Sequence, residues 1–213
     1  MHYAHSVSAS DQTNWEPLNV HLEAVAKRAE GFAATFRAGD WGHVAGLLHD
    51  LGKYSEAFQQ RLKGKVGKID HATAGAIEAG KLYPLLQSRP LQFVIAGHHA
   101  GLADGRGLAG ERDGQRARST LEVRLGREVE DYGAFAREII LPDHLPLPPL
   151  CLQRHRCGFQ VALFTRMLFS CLVDADYLET ERFYNGGMPR ETGAPDLSTL
   201  KGMLDTHLRG GVD

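Results

Sequence analysis

Gly46-Leu-Leu-His-Asp-Leu-Gly-Lys53 sets two ionisable metal ligands, His49 and Asp50, in a run of otherwise apolar or small residues. Val44, Leu47, Leu48 and Leu51 recur at i, i+3, i+4 and i+7, the spacing of a helix that turns one face to a core. His49 and Asp50 flank that face, and an imidazole beside a carboxylate is too costly to bury there as filler. Taken alone, the pair supports two readings. One is a metal site. The other is a His that donates to a backbone carbonyl beside an Asp that caps the next segment near Gly52.

Four more histidines lie where an imidazole can approach a shared point. His21 opens an amphipathic run, and Asp70-His71 precedes a segment rich in Ala and Gly. His98-His99 sits between Gly97 and Ala100-Gly101, and Asp174-Ala-Asp176 follows the apolar run 159–173. Five histidines and two or three carboxylates exceed the ligands of one zinc site, so two ions are the natural count.

Neighbouring residues on a helix point about 100° apart, so His49 and Asp50 cannot chelate one ion within a regular helix, and the site must lie between helices. Asp50 can then bridge two ions, with His21 and His49 on the first and His71, His98 and His99 on the second. A carboxylate from the last long helix completes the first. Two ions about 3.5–4 Å apart hold a bridging hydroxide and clamp the oxygens of an in-line phosphoryl displacement, which implies phosphoester hydrolysis. Imidazole and carboxylate ligands without thiolate suit manganese, iron, cobalt or nickel better than zinc, and magnesium poorly. Lys53 is a candidate catalytic group that neutralises the phosphate or holds the attacking water; the alternative is a cation at a helix C-terminus. Asp70 either orients His71 or N-caps the following helix.

The chain has 213 residues, 43% of them hydrophobic, and a net charge of -2, which fits one well-filled domain with a short appendage. No stretch reads as a membrane span or a signal peptide, so cytoplasmic residence and a monomer with no membrane partner are the expectation. Cys151, Cys157 and Cys171 form no Cys-x-x-Cys pair and are odd in number, which predicts reduced thiols that mostly pack. Six arginines between Arg106 and Arg127 follow a glycine-rich stretch. Arg112, Arg116 and Arg118 are the candidates there for a basic flap over a phosphodiester track, against a solvated helix face with i,i+4 ion pairs.

Patterning predicts an all-α fold. Leu22 to Phe36 form a helix with Asn19 as N-cap and Gly39 as stop. A short helix covers 54–62, and a close-packed one covers 72–80. Leu91 to Ala96 are helical with Pro90 at the first position. Another amphipathic helix spans Ser119 to Ile140, a proline-rich connection spans 141–150, and the central helix runs from Gln153 to about Glu181. The domain expected over 1–185 is followed over 186–213 by a linker and a leucine-striped helix, 196–208.

These residues together resemble the HD-domain metal-dependent phosphohydrolases. The closer likeness is to the HD nuclease domain at the N-terminus of the type I CRISPR-associated nuclease-helicase. The likeness rests on Tyr-Ala-His-Ser at 3–6, Trp-Glu-Pro-Leu at 15–18 with His21-Leu22, Trp41-Gly42, Leu-Leu-His-Asp-Leu-Gly-Lys at 47–53, Asp70-His71, Gly-His-His-Ala-Gly at 97–101 and Val-Asp-Ala-Asp-Tyr-Leu-Glu-Thr-Glu at 173–181. It implies an HD helical bundle with ligands His21, His49, Asp50, His71, His98, His99 and Asp176, assisted by Lys53. Asp174 is the alternative to Asp176. The implied activity is cleavage of single-stranded DNA in antiviral defence. The implied partners are an RNA-guided surveillance complex and a helicase domain in cis or in trans, since the chain has no Gly-x-x-x-x-Gly-Lys-Ser/Thr phosphate loop. The linker and striped tail favour a helicase in cis. The competing readings are a nucleotide or cyclic-nucleotide phosphohydrolase of the same fold, and a docking module stabilised by structural metals.

Overall fold

The computed structural model describes residues 1–7, 12–65, 67, 69–104, 120–188 and 196–210. Its elements are almost all helical. β1 (Tyr3–His5) and β2 (Glu16–Pro17) form an antiparallel ribbon ahead of α1 (Leu18–Ala34) and α2 (Gly39–Leu48). A 3-10 turn (Leu51–Tyr54), α3 (Glu56–Leu62), α4 (Ala72–Leu82) and α5 (Leu85–Gly97) follow. After α6 (Leu121–Leu125) and a second 3-10 turn (Gly133–Arg137) comes α7 (Cys157–Tyr184). The chain divides into two compact units, Met1–Glu181 and Arg182–Asp213. The second carries α8 (Leu197–Gly210), whose first turn is capped where Thr199 N–H donates to Asp196 Oδ1. Leu200, Met203, Leu204 and Leu208 of α8 are exposed.

Glycine lets main chains in the first unit touch. A Cβ on Gly42 would stand 2.3 Å from the Ala29 carbonyl oxygen, and one on Gly46 would stand 2.3 Å from Ala26 Cα. α1 and α2 therefore pack backbone to backbone over one turn of α2. Gly75 of α4 meets Leu48 O in the same way, and Gly52 meets His71 O. These contacts draw the end of α2 onto the start of α4. α7 closes the core by setting Phe164 edge-on against Trp41, with centroids 5.0 Å apart. By length and composition α7 is apolar enough to cross a membrane. Phe164, Leu168, Cys171, Leu172 and Ala175 of this helix are buried in the core, whereas Phe159, Leu163 and Met167 are exposed.

Several local expectations are corrected. α1 starts at Leu18 with no side-chain cap, because β2 runs straight into it and Pro17 sets the entry angle, so Asn19 is not the N-cap. Gly39 opens α2 rather than stopping α1. The stop is a Schellman motif in which Ala38 N–H donates to Ala33 O and Arg37 N–H donates to Ala34 O, with Arg37 at φ +63°. Pro90 lies inside α5, where it removes one ladder bond to Leu86, a residue on the exposed side. The segment to Ile140 is not one helix: α6 ends at Leu125, where Gly126 follows as C-cap, and the chain then continues irregularly to the second 3-10 turn. Of the three thiols only Cys171 is buried, so Cys151 and Cys157 are not packing residues.

Candidate metal centre

α2 ends at Leu48, so His49 and Asp50 occupy the point where the helical path breaks, and Asp50 turns away at φ -117°, ψ 22°. That break lets both side chains face one point. His49 Nε2 lies 3.2 Å from Asp50 Oδ2, and both residues are completely buried.

Four elements deliver the remaining groups. His21, in the first turn of α1, places Nε2 3.8 Å from Asp50 Oδ2 and 3.4 Å from Asp176 Oδ1. His49 Nε2 is 3.6 Å from the same Asp176 oxygen, which α7 supplies. His71, just before α4, and His98, just after α5, each hold Nε2 3.4 Å from Asp50 Oδ1. His99 Nε2 is 2.8 Å from His71 Nε2. The ligand atoms thus form two sets with one shared carboxylate: His21, His49, Asp50 and Asp176, and His71, His98, His99 and Asp50. Asp50 Oδ2 faces the first set, and Oδ1 faces His71 and His98 of the second. Asp174 is exposed and belongs to neither set, being two residues and about 200° round the helix from Asp176.

The outer edges of the rings explain their orientation. His49 Nδ1 sits 2.7 Å from Gly46 O, and His98 Nδ1 sits 2.7 Å from Ile95 O. His71 Nδ1 is 3.2 Å from Ile69 O. A ring that donates from Nδ1 to a carbonyl turns the lone pair of Nε2 inward, the arrangement of metal-ligating histidines. The carbonyl-bonded His is therefore compatible with the metal reading.

Among the described residues, His21 Nε2, His49 Nε2, His98 Nε2 and both Asp50 oxygens are buried without a hydrogen-bond partner. Each such atom costs about 1–3 kcal/mol if left unsatisfied. Divalent cations held by the two sets would satisfy all of them, and the nitrogen and carboxylate donors fit a transition ion. The charges respond to one another. Burial would raise Asp50, but Lys53 and then His49 hold it well below the usual carboxylate range. Burial would lower His49, but Asp50 and Asp176 raise it. His71 is lowered, chiefly by burial, and His99 is lowered to about 4 by burial and then by His98. His71 and His99 are thus neutral at neutral pH, while His49 retains a proton that an ion must displace.

Lys53 is 4% exposed, and its Nζ stands 2.7 Å from Asp50 Oδ2, outside the directions of a hydrogen bond, while donating to Ala4 O at 3.3 Å. It is not a solvated helix-end cation. Asp70 caps α4: Thr73 N–H donates to its Oδ1 and the Thr73 hydroxyl donates to its Oδ2. It does not orient His71. Its carboxylate also pairs with Arg124 and Arg127 at 3.7 and 3.4 Å. A cavity of about 750 Å³ opens here, lined by His71, His99, Asp70, Leu102, Arg124 and Arg127 among others. Arg112, Arg116 and Arg118 lie outside the described residues.

Sequence reasoning assigned no role to Glu16, His5 or Thr180, which adjoin the cluster. Glu16 Oε2 lies 3.2 Å from His21 Nδ1 and 3.8 Å from His5 Nε2, and His5, Glu16 and His21 form a third possible ligand group. The only signal was their presence in the 3–6, 15–18 and 173–181 stretches.

No protein-family profile and no curated protein matches this chain.

Proposed function

We propose that this chain is a metal-dependent phosphodiesterase of the HD type that cleaves single-stranded DNA. The observation that supports it is the division of the buried carboxylate of Asp50, with one oxygen toward His21 and His49 and the other toward His71 and His98. A purely structural site closes around one ion with four ligands; a shared carboxylate between two sets is how two catalytic ions are held. In this reading His21, His49, Asp50 and Asp176 hold one divalent transition ion, and Asp50, His71, His98 and His99 hold the other. When bound, such ions supply Lewis acidity that activates water and offsets the charge on a phosphodiester.

The chain's own groups set the approach. His21, His49 and Asp50 are sealed, whereas His99 is exposed and His71 is half-buried. Substrate therefore arrives along the His71–His99 edge, through the cavity walled by Arg124 and Arg127. There the guanidinium groups neutralise neighbouring phosphates while Asp70 keeps the two arginines in place. Lys53, buried behind Asp50, balances its negative charge. The oxygen of water forms the new bond to phosphorus as the bond to the ester oxygen breaks, and the proton that the water loses passes, directly or through solvent, to the leaving oxygen. Such a nuclease would serve antiviral interference, with a helicase domain feeding it strand displaced by an RNA-guided complex.

The test is degradation of circular single-stranded DNA by chelator-treated protein supplied in turn with manganese, cobalt, nickel, zinc and magnesium, with Asp50→Ala as control. Cutting that requires a transition ion and Asp50 is the expected result. The cavity volume also falls in the small-ligand range of about 300–1,000 Å³, which favours a nucleotide phosphohydrolase as the second reading. Turnover of mononucleotides or cyclic nucleotides with intact DNA would establish that alternative. Inertness toward every phosphoester under every ion would remove both.

A further inference from the structure

We infer that Glu16 is a positioning residue for His21, its carboxylate gripping the Nδ1 edge of the ring so that Nε2 becomes a fixed, stronger donor toward Asp50 and Asp176. This rests on the metal reading proposed above.

The need for Glu16 follows from where the histidines sit on their helices. Gly46 and Ile95 lie in the last turns of α2 and α5, where carbonyls have no amide four residues ahead within the helix. His49 and His98, just past those ends, take these carbonyls as partners for Nδ1. His21 lies at the opposite kind of place, the first turn of α1, where nearby carbonyls enter the helix's own ladder. Its outer partner must come from another element.

That element is β2. Glu16 is 6% exposed, and its Oε2 approaches His21 Nδ1 to 3.2 Å. Neither atom has a hydrogen-bond partner among the described residues, and the two stand 3.2 Å apart. The approach is skewed from the hydrogen-bond line, but the scaffold is firm. His5 pairs across the ribbon with Glu16, and Leu18 N–H donates to His2 O at 2.8 Å. Buried Gln59 clamps β1 by donating to Tyr3 O and accepting from Tyr3 N–H. The Thr180 hydroxyl lies 3.3 Å from His5 Nε2 and 3.4 Å from Asp176 Oδ1, so the ribbon reaches the same ligand set from a second side. A carboxylate, unlike a carbonyl, brings full charge to the ring. Outer partners of this kind alter metal affinity by about 10–100-fold when changed.

The experiment is calorimetric titration of the chelator-treated full chain with cobalt, followed in parallel by visible absorption, for the wild type and Glu16→Gln. Gln keeps the volume and an acceptor but removes the charge. Two binding events are expected in the wild type. Glu16→Gln should weaken one of them by about 10–100-fold, shift its absorption band and spare the other. Equal affinities for both ions in the two proteins would overturn the inference. So would a third ion lost in the variant, since Glu16 would then be a ligand. A wild type that takes up no ion would remove the metal reading itself. Imidazole nitrogen spectra of the zinc-loaded wild type need no variant: a His21 Nδ1–H signal displaced downfield of those of His49 and His98 supports the carboxylate contact. A signal coincident with theirs overturns it.

Discussion

The Nε2 atoms of His71 and His99 stand 2.8 Å apart. His71 Nδ1 faces the Ile69 carbonyl, so the Nε2 directed at His99 carries a lone pair. Two imidazole nitrogens at that distance need a proton or a cation between them. Both rings are held below the ordinary histidine range, His71 mainly by burial and His99 by burial and then His98, so without an ion the contact is a hydrogen bond from the Nε2–H tautomer of neutral His99 to His71, and an ion bound there displaces that proton. His99 is exposed, so His99→Ala removes a ligand with little loss of packing. Its metal affinity at the outer set should fall by at least about 100-fold, the upper end for changes one step further out, with a melting temperature for the metal-free protein near that of the wild type. Unchanged ion stoichiometry and activity would exclude His99 as a ligand.

The pH dependence follows from the opposed shifts inside the cluster. His49 is raised above its ordinary 6.5, burial opposing and Asp50 and Asp176 prevailing. Its contribution to folding is complete below 6.5 and disappears as pH climbs through the higher folded value. Asp50 is lowered, burial opposing and Lys53 prevailing, and Asp176 is lowered, burial opposing and His21 prevailing. Their contribution is present above 3.8 and is lost as pH falls through the lower folded values. Burial lowers His5, His71 and His99, so stability also falls as pH drops below 6.5, and chelator-treated protein should therefore melt at its highest temperature near 6.5 and lose stability on either side. Added ion should remove the alkaline loss, because it takes the place of the His49 proton. Calorimetry at about pH 7 in two buffers of different ionisation enthalpy should register proton release on binding. Binding without proton release would show that His49 is already neutral.

Two glycines separate packing from propensity. A Cβ on Gly75 would lie 1.7 Å from Leu48 O, whereas one on Gly31 meets nothing within 4 Å. Gly75→Ala should cost at least about 3 kcal/mol, beyond ordinary overpacking, because main chain must move. Gly31→Ala, inside α1, should stabilise by about 0.5–1 kcal/mol. Denaturant unfolding of both variants checks the contrast. In addition, Gly75→Ala should weaken ion binding, since the displaced segment carries His49. Equal stability of the two variants would contradict the backbone contact.

Most legible in the sequence are the groups whose burial is costly unless something binds them. Ionisable side chains inside apolar stripes, as at His49, Asp50 and His98, stand out, and the structure brings them together with His21, His71, His99 and Asp176. Asp176 could be chosen over Asp174 only through a resemblance, because helical spacing says that the two diverge without saying which faces inward. Glu16 was illegible for a different reason. A two-residue strand with an irregular register has no alternation to read, and the contact with His21 depends on Pro17 leading directly into a helix. Local boundaries failed where unusual residues did ordinary jobs. Arg37 takes the left-handed position that Gly39 advertised, at a cost of about 1–2 kcal/mol that the closing hydrogen bonds offset. Over the span to Ile140, apolar spacing alone suggested continuity that Gly126 and Gly133 interrupt.

The approaches of Gly46 to Ala26, Gly52 to His71 and Gly75 to Leu48 join main chain to main chain. Main-chain contacts have no rotamers, so the spacing between His49, Asp50 and His71 does not depend on how the surrounding aliphatic side chains fill their volume. Leucines and valines of the core can drift among themselves without resetting the distances at the cluster. The constraint on sequence change is displaced onto three residues that carry no side chain at all.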